Sequence, residues 1–162
     1  MWMLFLVAAA LAGPSDTAPS DLDGTWVPVG EHEAKQKTVA VQSCWSRRQT
    51  WTLTQAGAKV TAVYNPANRT SGARRVDTYR TSASLNGRWK EGVLMLAGDR
   101  ITVHTNALDR GFREQTRQPM RLSLTLDQKT GHLVGTDEDG PVRWAPADLS
   151  PIDRSVCPPP PP

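Results

Sequence analysis

Side-chain polarity in this chain alternates with a period of two. Thr50-Trp51-Thr52-Leu53-Thr54-Gln55 switches between polar and apolar without a break, and Lys59-Val60-Thr61-Ala62-Val63-Tyr64 puts Val60, Ala62 and Tyr64 on one face. Successive side chains of a strand point to opposite sides, so each run offers one face to a core and one to water. With Ala56-Gly57 between them, the two runs predict a hairpin. Arg121-Leu122-Ser123-Leu124-Thr125-Leu126-Asp127 repeats the pattern most cleanly. Residues 127–131 turn it, with Gly131 suited to a left-handed position, and His132-Leu133-Val134-Gly135-Thr136 returns. Asp137-Glu138-Asp139-Gly140 turns again, and Val142-Arg143-Trp144 closes the meander.

The middle third follows the same rule. Residues 75–85 are rich in strand formers, with Tyr79, Thr81, Ala83 and Leu85 on one side. Asn86-Gly87 carries the signature of a two-residue hairpin turn. Short strands are therefore expected at Arg88-Trp89, at 93–96 and at 100–105, punctuated by Gly92 and Gly98. In the last of these, Ile101 and Val103 share a face and His104 lies opposite. With residues 25–29 the total is about eight to ten short strands. Such a chain is all-β, an antiparallel up-and-down barrel or a meander sandwich. Helix formers are few: residues 31–37 predict a short turn, and the polar stretch 108–118, broken by Gly111, predicts a loop with at most one helical turn.

The ends differ from this body. Residues 1–12 are all apolar and finish in Ala10-Leu11-Ala12, the small-x-small form of a cleavage site. The stretch is too short to span a bilayer, so it predicts a secretory signal cut after Ala12. Apart from the amino terminus it lacks a positively charged lead. The alternatives are a buried N-terminal strand or an uncleaved anchor. Residues 13–21 form a Pro/Ser/Asp linker, 22–157 the folded β-domain and 158–162 a polyproline tail. No second apolar run approaches ~20 residues, so no transmembrane segment is expected in the mature chain. A secreted or periplasmic location is oxidising, and there Cys44 and Cys157 pair as a disulfide. Two separate thiols are the alternative.

Charge and motif exclude several chemistries. Nineteen Lys and Arg face sixteen Asp and Glu, a net +3 too small and dispersed to point to nucleic acid. Two basic stretches stand out, Arg69, Arg74, Arg75 and Arg80, then Arg110, Arg113, Arg117 and Arg121. Arg74, Arg75, Arg113 and Arg117 are the candidate anion contacts; the competing reading is a solvated surface interspersed with Asp77, Asp109 and Glu114. There is no G-x-S-x-G elbow, and His32, His104 and His132 stand apart, so no catalytic residue is assigned and a non-enzymatic role is expected. Adjacent residues of Glu31-His32-Glu33 diverge in a strand, and Asp137-Glu138-Asp139-Gly140 lacks the distal acid of a calcium loop. No metal and no cofactor is expected. Beyond the leader the tryptophans are Trp26, Trp45, Trp51, Trp89 and Trp144. In a chain with two Phe they must supply much of the core, and Trp51, Tyr64 and Tyr79 are the candidate lining of a ligand cavity.

Leu22-Asp23-Gly24-Thr25-Trp26, opening the folded part ahead of a β-meander, resembles the calycin architecture of lipocalins and avidin-like proteins. The resemblance implies structural roles for Gly24 and Trp26, as the G-x-W that plugs one barrel end. It implies that Arg143, in the last strand, packs over that tryptophan. The chain departs from the family in lacking the lipocalin T-D-Y motif and a helix after the last strand. The polar set of an avidin biotin site has no counterpart, so no ligand carries over. Leu85-Asn86-Gly87-Arg88-Trp89 echoes the same L-x-G-x-W pattern. The expected role is a secreted, non-enzymatic barrel that binds a small apolar or amphipathic ligand. The alternative is an envelope interaction protein with a filled core that meets anionic partners through its arginine loops. Sequence leaves the oligomeric state open.

Overall fold

The structure, a computed structural model, describes residues 19, 22–44, 46–67, 77–109 and 111–159. Nine strands carry it: β1 (Gly24–Pro28), β2 (Val39–Ala40), β3 (Thr50–Ala56), β4 (Lys59–Asn65), β5 (Asp77–Lys90), β6 (Val93–Asn106), β7 (Arg113–Asp127), β8 (His132–Asp137) and β9 (Gly140–Asp148). From β3 onward each strand pairs antiparallel with the next, and β1 lies between β3 and β9. The result is a closed, eight-stranded, up-and-down barrel, with the two-residue β2 added in parallel outside β9. Closure decides between barrel and sandwich and removes the free edges that an open sheet would leave.

The central strands are longer than the glycine punctuation predicts. Asn86-Gly87 is not a turn, and Gly98 does not end a strand; β5 and β6 run straight through them for 14 residues each. A Cβ on Gly87 would stand 1.7 Å from the Met95 carbonyl oxygen, and one on Gly98 2.1 Å from that of Ser84. These glycines mark close backbone approach in a coiled sheet. The real turn is Glu91-Gly92, with φ values of 52° and 80°. Two consecutive left-handed residues are what a tight hairpin requires. Residues 113–118 likewise belong to strand β7 and not to a loop. Both of their faces are polar, which hides the alternation.

Unequal pairing gives the barrel its shape. β5 pairs with β4 only through residues 84–88, and β7 pairs with β8 only through 123–127. Beyond those limits β5, β6 and β7 pair with one another alone, as a three-stranded tongue rising from one side of the rim. Inside the barrel Leu53, Val60, Leu85, Leu94, Leu124 and Leu133 are buried together with Trp26, Trp89 and Trp144. Leu22 seals the lower end, and the Trp26 indole N–H donates to its carbonyl at 3.1 Å. Gly24 has φ 138°, a conformation side chains disfavour.

A second, smaller layer covers the outside of the closing seam. Val27, Val39 and Ala145 pack together there. His132 is fully buried; its Nε2 donates to the Gln36 carbonyl at 2.7 Å, and its Nδ1 faces Arg143 Nη1 at 3.5 Å. Strand alternation sets Arg143 on the face opposite Trp144, so it lies in this outer layer beside Asp127 rather than over Trp26. Glu33 pairs with Arg48 on the same side, and the guanidinium holds that carboxyl below the usual carboxylate range. Cys44 and Cys157 form the expected disulfide, with Cα atoms 5.4 Å apart across a separation of 113 residues. Trp45, the leader 1–12, all of the linker 13–21 but residue 19, and the tail from 160 lie outside the described residues. No described helix is long and apolar enough to cross a membrane.

Candidate functional site at the barrel mouth

The inner faces of β5, β6 and β7 form rows of directly paired residues, which can be followed upward from the sealed end. Trp89, Leu94 and Leu124 make the lowest row; Gly87, Leu96 and Leu122 the next; then Leu85, Gly98 and Met120. Above them the chemistry changes. Ala83, Arg100 and Gln118 form the fourth row, Thr81, Thr102 and Thr116 the fifth, and Tyr79, His104 and Glu114 the sixth. The change falls just above the last β4–β5 pair, at Ser84, whereas β7 has already left β8 at Ser123.

A recess of about 440 Å³ opens at this level. Its floor and far wall are aromatic. Trp51 of β3 is paired with Tyr64 of β4, ring centroids 5.3 Å apart, and stacks on Trp144 of β9 at 5.0 Å with planes 16° apart. Offset contacts at this distance are worth about 0.5–1.5 kcal/mol beyond burial, so the three rings form a firm wall. Trp51 and Trp144 are buried and Tyr64 is half-buried. Burial raises the Tyr64 phenol pKa above its ordinary range, while the nearby Arg100 charge pulls it partly back. The phenol therefore stays protonated at neutral pH, able to donate and accept.

The near wall is polar. Ala83 is small, and Arg100, its cross-strand partner, lines the recess beside it. Its Nη2 lies 3.7 Å from the Met120 sulfur. The hydroxyls of Thr81 and Thr102 are 3.3 Å apart, and Gln49, Gln118 and Asp137 complete the rim. Asp137 Oδ1 already accepts from the backbone amides of Asp139 and Gly140.

Of the three residues expected to line a cavity, Trp51 and Tyr64 meet here and Tyr79 does not. Tyr79 is two rows above on the tongue, 65% exposed, stacked on the His104 ring at 4.3 Å with planes 9° apart. His104 Nε2 lies 2.9 Å from Asp77 Oδ1, and Phe112 meets its ring edge-on. The expected anion contacts are divided. Arg74 and Arg75 lie outside the described residues, whereas Arg113 and Arg117 are exposed on the outer face of the tongue, Arg117 3.6 Å from Asp99. Among the described residues no group of three His, Cys, Asp or Glu side chains converges as a metal site would require. Arg100 and Trp144 are the site residues that sequence reasoning missed. No known family, characterised protein or solved structure matches this chain.

Proposed function

We propose that this protein is a non-catalytic, calycin-like binding barrel of the secreted or periplasmic kind, which takes a small amphipathic ligand into its mouth. The observation that carries this reading is the recess itself. The lower barrel is filled with leucine and tryptophan, yet the upper end keeps about 440 Å³ walled by Trp51, Tyr64 and Trp144. Ligand pockets combine this kind of apolar wall with a few convergent polar groups. The disulfide and the apolar leader support export to an oxidising compartment. Tryptophan emission titrated with fatty acids, retinoids and haem-like ligands tests the reading. Saturable quenching that Trp51→Ala abolishes supports it, and a flat response across the panel sinks it.

A second reading has its own observation. Arg80, Arg113, Arg117 and Arg121 all fall on the outer face of the tongue by strand parity. Arg80 of the first basic stretch and Arg113, Arg117 and Arg121 of the second thus meet on one sheet, with Asp99 among them. This face suits an anionic surface, and salt-sensitive sedimentation with vesicles of anionic lipid, lost in Arg113→Glu/Arg117→Glu, tests it.

A further inference from the structure

Arg100 is the residue that a plain binding barrel does not explain. A guanidinium keeps its charge at any pH a protein meets and carries five donors. Half-buried on the inner face at the mouth, it loses part of its hydration there, which costs free energy unless those donors are used. Here its recorded partner is a thioether, the Met120 sulfur at 3.7 Å. Among the described residues no carboxylate forms an ion pair with it. The acids closest to the rim are otherwise engaged or exposed. Asp137 is tied to its own turn, Glu138 accepts the Arg121 backbone amide, and Asp139 stays exposed. Arg117, one pairing along on the outer face, shows the contrast, since it does have an acid in Asp99.

The neighbours of Arg100 are what an anionic head group would meet. Gln118 is its direct cross-strand partner, and Thr102 follows it on the same face. Tyr64 lies near enough to feel its charge. From this geometry we infer that the ligand is an amphipathic anion, its carboxylate, phosphate or sulfonate head on Arg100 and Gln118 and its flat apolar body against Trp51 and Tyr64. The inference rests on the binding-barrel reading and narrows it to one charge class. A planar fork of donors matches a planar or tetrahedral oxyanion in two bonds, and an aromatic wall accepts a ring or an unsaturated chain.

The test uses two fluorescent probes that share one ring system, anilinonaphthalene sulfonate and the neutral phenylnaphthylamine. The full disulfide-bonded protein should bind the sulfonate about ten-fold or more tightly at low salt, the size expected of a desolvated charge-assisted contact. Arg100→Gln should erase that preference while leaving the neutral probe bound as before. Arg100→Lys, which keeps the charge and loses the fork, should retain part of it. Arg88→Gln, exposed on the outer face of β5 away from both proposed sites, should change neither probe and so excludes a general effect of net charge. Trp51→Ala should weaken both probes together. Equal binding of the two probes, or a preference that survives Arg100→Gln, overturns the anion assignment and leaves the barrel reading standing. Absence of binding by either probe overturns both. Thermal melts of Arg100→Gln and Arg100→Lys alongside Arg88→Gln show that the variants are folded.

Discussion

The same three strands behave in two ways along one inner face. Below Ala83 the rows of β5, β6 and β7 carry Leu, Met, Gly and Trp; Ala83's own row adds Arg and Gln, and those above it carry Thr, His, Tyr and Glu. Backbone pairing continues unchanged through the boundary. What changes is the neighbouring wall: β8 has already ended beside Ser123, and at Ser84 β4 ends too, so only the tongue goes on. An inner face is apolar only where something closes over it and removes water. Polarity of the rows therefore follows closure of the ring rather than strand propensity, and the mouth site sits at the changeover.

The largest test of that contrast pairs two positions of β7. Leu124 is fully buried and Thr116 exposed on the same face. Leu124→Ala should cost about 3–5 kcal/mol and Thr116→Ala no more than about 0.5 kcal/mol, read from urea unfolding. Equal costs would mean that the tongue is as closed as the barrel. Next comes the cross-link. Cys44→Ser/Cys157→Ser should lose about 2–4 kcal/mol, because the bridge closes a long loop of the unfolded chain. Amide exchange should quicken in β1, β3 and β9 more than in the tongue. Gly98→Ala, at the boundary, forces a Cβ onto the Ser84 carbonyl and should cost about 1–3 kcal/mol while shrinking probe binding at the mouth. The smallest effect is that of acid.

The hydrogen bond from Arg48 to Glu33, and those from the Thr130 hydroxyl and Lys129 amide to Asp127, hold both carboxyls below the ordinary range. A depressed folded pKa contributes stability that is full above the unfolded value, near ~4, and fades as pH falls through the lower folded value. Unfolding midpoints measured from pH 7 down to pH 2 should therefore fall below about pH 4, with Arg48→Ala flattening part of the drop. Both groups sit on the outside of the barrel, so the tongue should not take part.

How much of this was legible depended on local period. The hairpin of β3 and β4 follows from alternation, and with it the shared face of Trp51 and Tyr64. The pairing of Cys44 with Cys157 followed from their number and compartment. Trp144 against Trp51 did not follow, because that contact exists only once β1 joins β3 to β9. Arg100 was concealed by Gly98. Taking that glycine as a break restarts the count at 100, and the apolar pair Ile101 and Val103 then looks like the inward face. Carried unbroken from Leu94 and Leu96, the parity turns Arg100 inward and the apolar pair outward. The lipocalin resemblance implied Arg143 over Trp26, but its neighbour Trp144 takes the inward position.

The position of the disulfide also decides how the molecule would answer to tension. A pull applied at residues 22 and 157 runs from β1 to Cys44 and crosses directly through the sulfur bridge to Cys157. Once β1 and β2 have been peeled from β3 and β9, the strands β3 to β9 hang from that line as a closed loop and carry no load. Only β1, β2 and the segment between them can be peeled away, so stretching should release a short length of chain and then stop. Adding reductant during the pull should make the remaining 113-residue separation yield as a second, longer step.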